Sequence, residues 1–196
     1  ANGQCNTKQS LPDDVRLVAV MQINNEIGTL QPTVDWHRKA KEANALYLCD
    51  AVQAYGKVEV TGADMIAVSA HKLHGPKGIG ALWVRDGLSL IPHVEGGGQE
   101  QGLRSGTLSP ALCAGFGAAA KLMAERADED AAHVQALWQA AREAFAGWTL
   151  NGSEDRRYHG NLNIRREGLD VAPERFNEDA TCWTSSGRVP MGSSKK

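Results

Sequence analysis

Three apolar runs, each ending in polar side chains, constrain this chain more than any other feature of it. Arg16 to Ile23 reads as a buried strand and runs into Asn24-Asn25-Glu26-Ile27-Gly28. Leu46 to Cys49 is a second short strand, ending in Asp50 and Gln53. Met65 to Val68 has no polar alternation, as in a strand buried on both faces, and delivers Ser69, His71 and Lys72. Between the first two runs, Thr33 to Asn44 carries Val34, His37, Ala40 and Ala43 at helical spacing. One polar strand ending is ordinary. Three in a βαβ-like rhythm predict an α/β fold with one site at one edge of one sheet, where open α/β sheets bind ligands.

The third ending carries the most chemistry. A lysine at the mouth of two buried strands is partly desolvated, which makes its amine a usable nucleophile of the Schiff-base-forming kind. The plain alternative is a solvated lysine just outside a strand. Gly75-Pro76-Lys77-Gly78 breaks the pattern as a turn, and Ile79 to Val84 resumes it as another apolar strand. The nucleotide-binding pattern G-x-x-x-x-G-K-[ST] is absent. Further on, Glu95-Gly96-Gly97-Gly98 leads to Arg104-Ser105-Gly106-Thr107. Glycine amides with Arg104 and Thr107 could cradle an anion, and a flexible loop is the competing reading.

The remaining pattern is simpler. Residues 109–126 read as an Ala-rich helix started by Ser109-Pro110, and Asp128 to Phe145 as an amphipathic helix. Trp148 to Asn151 and Asn161 to Ile164 read as strands of a smaller unit. The net charge of -2 gives no basic footprint for nucleic acid or an anionic membrane surface. No apolar run approaches the ~18 residues of a membrane span, and the polar first residues lack a signal-peptide core. Cys5, Cys49, Cys113 and Cys182 form no C-x-x-C pair. That argues against a zinc site or a disulfide framework and predicts a reducing, cytoplasmic setting.

The motifs Asn24-Asn25-Glu26-Ile27-Gly28, Asp50-Ala51-Val52-Gln53, Ser69-Ala70-His71-Lys72, Gly75-Pro76-Lys77-Gly78 and Arg104-Ser105-Gly106-Thr107 follow one another in this order. Together they resemble a cysteine desulfurase of the class V aminotransferase family, from about Arg16 to about Arg165. The resemblance implies a pyridoxal-phosphate (PLP) enzyme of fold type I, a large αβα domain with a mostly parallel sheet plus a small C-terminal domain, assembled as a homodimer. It implies that Lys72 bears the cofactor and that Asp50 pairs with its pyridinium nitrogen. Gln53 and Asn25 would bond its phenolic oxygen, Ser69 and His71 would hold its phosphate, and Thr107 would reach the phosphate of the neighbouring subunit. The implied reaction converts L-cysteine to L-alanine and leaves a persulfide on an enzyme cysteine, for iron–sulfur cluster or other sulfur-transfer pathways. A sulfur-acceptor or scaffold protein is the implied partner.

On this reading residues 1–14 are a non-matching segment, 15–124 part of the PLP-binding large domain, 125–171 part of the small domain, and 172–196 a divergent, disordered tail. The family's phosphate-binding Gly/Thr turn and its ring-stacking histidine have no counterpart here. Gln101 stands where a basic residue usually precedes Gly-x-Arg-Ser-Gly-Thr. Cys182, in a Ser/Gly-rich setting, is the candidate sulfur acceptor, and no arginine can be assigned to the substrate carboxylate, Arg188 included. Another class V enzyme, such as a selenocysteine lyase or a small-molecule transaminase, and a non-catalytic fragment are the alternatives.

Overall fold

The computed structural model describes residues 2–60 and 62–167. The expectations for residues 172–196, Cys182 and Arg188 among them, lie outside that range. The first half forms a four-stranded sheet in chain order: β1 (Leu17–Met21), β2 (Leu46–Asp50), β3 (Met65–Ser69) and β4 (Gly80–Val84). β1, β2 and β3 run parallel, and β4 returns antiparallel beside β3. Helix α1 (Thr33–Glu42) is the crossover between β1 and β2 and buries Trp36 and Ala40, one turn apart, against them. Asp35 in its first turn and Lys39 and Lys41 in its last match the helix dipole.

The second half is helical. Ser109 caps α2 (Pro110–Glu125), its Oγ accepting from the Leu112 amide at 3.5 Å, with proline in the first helical position. α3 (Ala127–Ala144) follows after a break at Arg126, with Asp128, Glu129 and Asp130 in its first turn. Two short antiparallel strands, β5 (Thr149–Leu150) and β6 (Ile164–Arg165), close the described chain.

The core is one-sided. Val18, Tyr47 and Cys49 sit under α1, with Ile66 and Val68 packed against the same cluster. The expectation of a buried strand fails for β1, where Leu17 is 47% and Met21 37% exposed, while β3, the run read as buried on both faces, is buried or half-buried along its length. It fails for β4 too, where Leu82 is 49% and Trp83 52% exposed. The reason is coverage: α1 packs chiefly on β1 and β2, and on one face of them. Apolar composition marks a strand but not the presence of a neighbour.

Residues 2–14 form no helix or strand, as their composition predicts, yet they are tied to the fold. Gln31 donates from Nε2 to the Gly3 carbonyl at 2.9 Å and accepts from the Cys5 amide at 2.7 Å. Lys39 Nζ donates to the Thr7 carbonyl at 2.7 Å.

Candidate active site

Parallel pairing decides where the polar strand endings go. The C-terminal ends of β1, β2 and β3 lie side by side, and the register aligns Met21 with Asp50 and Asp50 with Ala67. The backbone knits these ends together: the Gln22 amide donates to the Asp50 carbonyl at 2.9 Å, and the Ala51 amide to the Ala67 carbonyl at 3.0 Å. Cys49 faces α1, so Asp50, the next residue, points to the opposite face. Its carboxylate is exposed and accepts the Val52 amide through Oδ1 at 3.0 Å, which starts the turns of residues 51–57.

Asn25 sits beyond the end of β1 in a turn built by its neighbour. Asn24 Oδ1 accepts the amides of Glu26 and Ile27 at 2.9 and 3.0 Å. Gly28 closes the turn at a φ of 70°, where a Cβ would lie 2.9 Å from that of Asn161. The Asn25 side chain is exposed and donates to Glu26 Oε1 at 2.8 Å.

Ser69 ends β3, and its Oγ meets His71 Nδ1 at 2.8 Å. Lys72 follows in a single 3₁₀ turn, Ala70–Leu73, which His74 ends in the left-handed region at a φ of 63°. The half-buried Lys72 is held from below. Leu73 is fully buried against Ala119 and Met123 of α2. The next turn packs equally close, because a Cβ on Gly75 would lie 2.9 Å from the Ala70 carbonyl and one on Gly115 3.1 Å from Pro76.

Lys57 is a residue that sequence reasoning missed. Its Nζ donates to Gln53 Oε1 at 3.3 Å and stands 5.5 Å from the Tyr158 ring. Burial and then the nearby Lys72 charge push its ammonium below the ordinary lysine range. The only hint in the sequence was the four-residue spacing from Gln53.

The Gly-rich segment is cross-tied rather than loose. The Ser105 amide donates to the Val94 carbonyl at 3.0 Å, its Oγ accepts the Gly98 amide at 3.3 Å, and Gln99 Oε1 accepts the Gly106 amide at 3.0 Å. Arg104 turns back to the Ser105 carbonyl at 2.9 Å. Thr107 is exposed on the stretch leading into α2. Among the described residues no group of three or more His, Cys, Asp or Glu side chains could hold a metal ion.

Residues 3–172 match the family described as aminotransferase class-V. The chain belongs to that family. The match extends past both ends of the Arg16–Arg165 stretch on which the motifs lie. A mitochondrial cysteine desulfurase of Saccharomyces cerevisiae is 43% identical over 166 residues, covering 80% of this chain and 33% of the yeast protein. DndA from Streptomyces lividans superposes with a TM-score of 0.78 at 33% identity, over 87% of this chain and 52% of DndA. SspA, solved in complex with cysteine, superposes with a TM-score of 0.59 at 38% identity, over 61% of this chain and 37% of SspA. The chain therefore spans about a third to a half of these proteins. The fold is that of the fold type I cysteine desulfurases, as the motifs imply.

Proposed function

We propose that this chain carries the cofactor-binding edge of a PLP-dependent cysteine desulfurase acting on L-cysteine. The observation that carries the reading is the alignment of three parallel strand ends bearing Asn25, Asp50 and the Ser69–His71–Lys72 group. The donor set fits the cofactor: one amine, one exposed carboxylate, and a hydroxyl–imidazole pair suited to a phosphate. The cysteine desulfurase relatives and the cysteine complex of SspA favour this substrate within the family.

In this proposal Lys72 bears the cofactor, and Asp50 keeps the ring nitrogen protonated. Gln53 and Asn25 bond the phenolic oxygen, and Ser69 and His71 hold the phosphate. Thr107 serves the neighbouring subunit of a homodimer. Bound PLP supplies an electron sink beside the substrate's α-carbon. The protein's part is positional and protonic: Lys72 Nζ carries a proton to and from that carbon, and Asp50 holds a charge opposite the ring.

The sulfur leaves on a cysteine thiol for an acceptor or scaffold protein. Cys49 is a poor acceptor, since it is fully buried and burial pushes its thiol up to about 11. Cys5, Cys49 and Cys113 are free thiols, which suits a reducing compartment such as the cytoplasm.

Borohydride reduction of the PLP-loaded protein, followed by peptide mapping, tests the reading. A pyridoxyl label on Lys72 is expected, and the loaded protein before reduction should convert L-cysteine to alanine, releasing sulfide when a dithiol is added to reduce the persulfide. A label on Lys57 or Lys77 would overturn the assignment.

A further inference from the structure

We propose that Asn161, seated by Arg157, is a positioning residue: it fixes the backbone beneath Asn25 and so aims the Asn25 amide at the cofactor's phenolic oxygen. The inference rests on the cofactor reading above. It adds two residues that lie on no strand of the four-stranded sheet.

Four successive carbonyls of the Asn25 turn, those of Asn25, Glu26, Ile27 and Gly28, accept from one distant segment. Asn161 Nδ2 donates to Asn25 at 3.0 Å and to Glu26 at 3.3 Å. Asn163 Nδ2 donates to Glu26 at 2.9 Å, Arg157 Nη2 to Ile27 at 3.1 Å, and the Tyr158 amide to Gly28 at 2.9 Å. The Asn25 side chain itself is exposed and donates to the exposed Glu26 carboxylate. Such a contact holds it weakly, so the backbone beneath it decides which rotamers it can take. Asn161 is the side chain that grips that backbone at Asn25 itself.

Asn161 is in turn held in place. Arg157 is 6% exposed, and its Nη2 donates to the Asn161 carbonyl at 2.8 Å as well as to that of Ile27. Its Nη1 donates to the Asn151 and Ser153 carbonyls at 3.3 and 3.0 Å. One planar guanidinium thus ties three segments together, which a lysine could not do. The Asn161 amide has one workable orientation, because turning it over would set Oδ1 against two carbonyls. Its Oδ1 is buried with no donor. Buried polar atoms are normally bonded, so an amide with one bare acceptor points to a task for its other end.

The test compares Asn161→Ala with Asn25→Ala in the full chain. Without PLP, a glutamate-specific protease should cut after Glu26 at least about fivefold faster in Asn161→Ala, measured against its cutting after Glu42 in α1. With PLP bound, the pH midpoint of the cofactor's absorption band is read. A donor on the phenolic oxygen favours its anionic form, so Asn25→Ala should raise that midpoint by about 0.5–1 pH unit. Asn161→Ala should move it in the same direction, which a loss of stability alone would not do. Should Asn161→Ala not fold, Asn161→Asp, which keeps the shape and removes the donor, should give both effects. Unchanged cutting after Glu26, or a midpoint moved by Asn25→Ala but by neither Asn161 substitution, would overturn the proposal while the cofactor reading stands. A midpoint unmoved by Asn25→Ala would overturn the Asn25 assignment and the proposal with it.

Discussion

The two faces of the sheet carry the same alternating strands and do different things with them. Toward α1, Val18 pairs with Tyr47 and Val20 with Cys49, and Tyr47 and Cys49 are wholly buried. Toward the other side, Leu17 and Met21 of β1 and Leu82 of β4 stay open to solvent, and Asp50 stands among them. Alternation thus separates core from solvent within single strands. Cys49 and Asp50 are chain neighbours, yet one is sealed in the core and the other is exposed.

Substitutions at that pair should break the comparison most sharply. In the PLP-loaded protein, Asp50→Asn is expected to lower turnover of L-cysteine by on the order of 10²- to 10⁴-fold while leaving the melting temperature near its starting value. Cys49→Ala should do the reverse, lowering stability with little effect on turnover per folded molecule. Equal losses of turnover in both would show that the two faces are not independent.

Next in size is the core itself. Tyr47 is fully buried, stacked on His37 at a centroid distance of 5.2 Å. Tyr47→Ala should cost about 3–5 kcal/mol in urea unfolding. Leu82→Ala on the open face should cost less than about 1 kcal/mol. A large cost at Leu82 would mean that something covers that face in solution.

Thiol reactivity gives a gentler reading of the same contrast. With the Cys49 thiol raised to about 11, iodoacetamide at pH 8 should modify Cys5 and Cys113 but spare Cys49 until the protein unfolds. Mass spectrometry of the alkylated peptides checks this.

A small, pH-dependent effect belongs to Asp64, which accepts the Tyr47 amide at 2.8 Å and pairs with Arg85. Burial pushes its carboxyl up, but the Tyr47 amide and Arg85 outweigh this and hold it below the usual carboxylate range. A depressed folded-state value means stability present above the unfolded value of about 3.9 and lost as pH falls through the folded one. With Arg85 half-exposed, about 1 kcal/mol is expected, absent in Asp64→Asn. Urea midpoints measured from pH 5 down to pH 2 would read it.

Much of this arrangement was legible in the residues. The strands and helices fall within a few residues of where apolar periodicity puts them, and polar endings on successive strands located the Asn25, Asp50 and Lys72 edge. Two things were not legible. Exposure of Leu82 and Trp83 depends on which neighbours a strand receives, and hydrophobicity is blind to that. Lys57 and Arg157 gain their meaning from distant partners. Arg157 reaches the Ile27 carbonyl across 130 positions, and nothing near it in Arg156-Arg157-Tyr158-His159 announces the contact.

That contact also sets a clock. The turn holding Asn25 is braced from the far end of the described chain: Leu30 donates to the Arg156 carbonyl, Tyr158 to Gly28, and Asn161 to the carbonyls of Asn25 and Glu26. The strands of the sheet need only their immediate predecessors, since spatial order follows chain order. A ribosome adding about 5–20 residues per second leaves the Asn25 turn without its brace for on the order of ten seconds after it emerges. During synthesis the sheet can assemble well before this corner of the site is fixed.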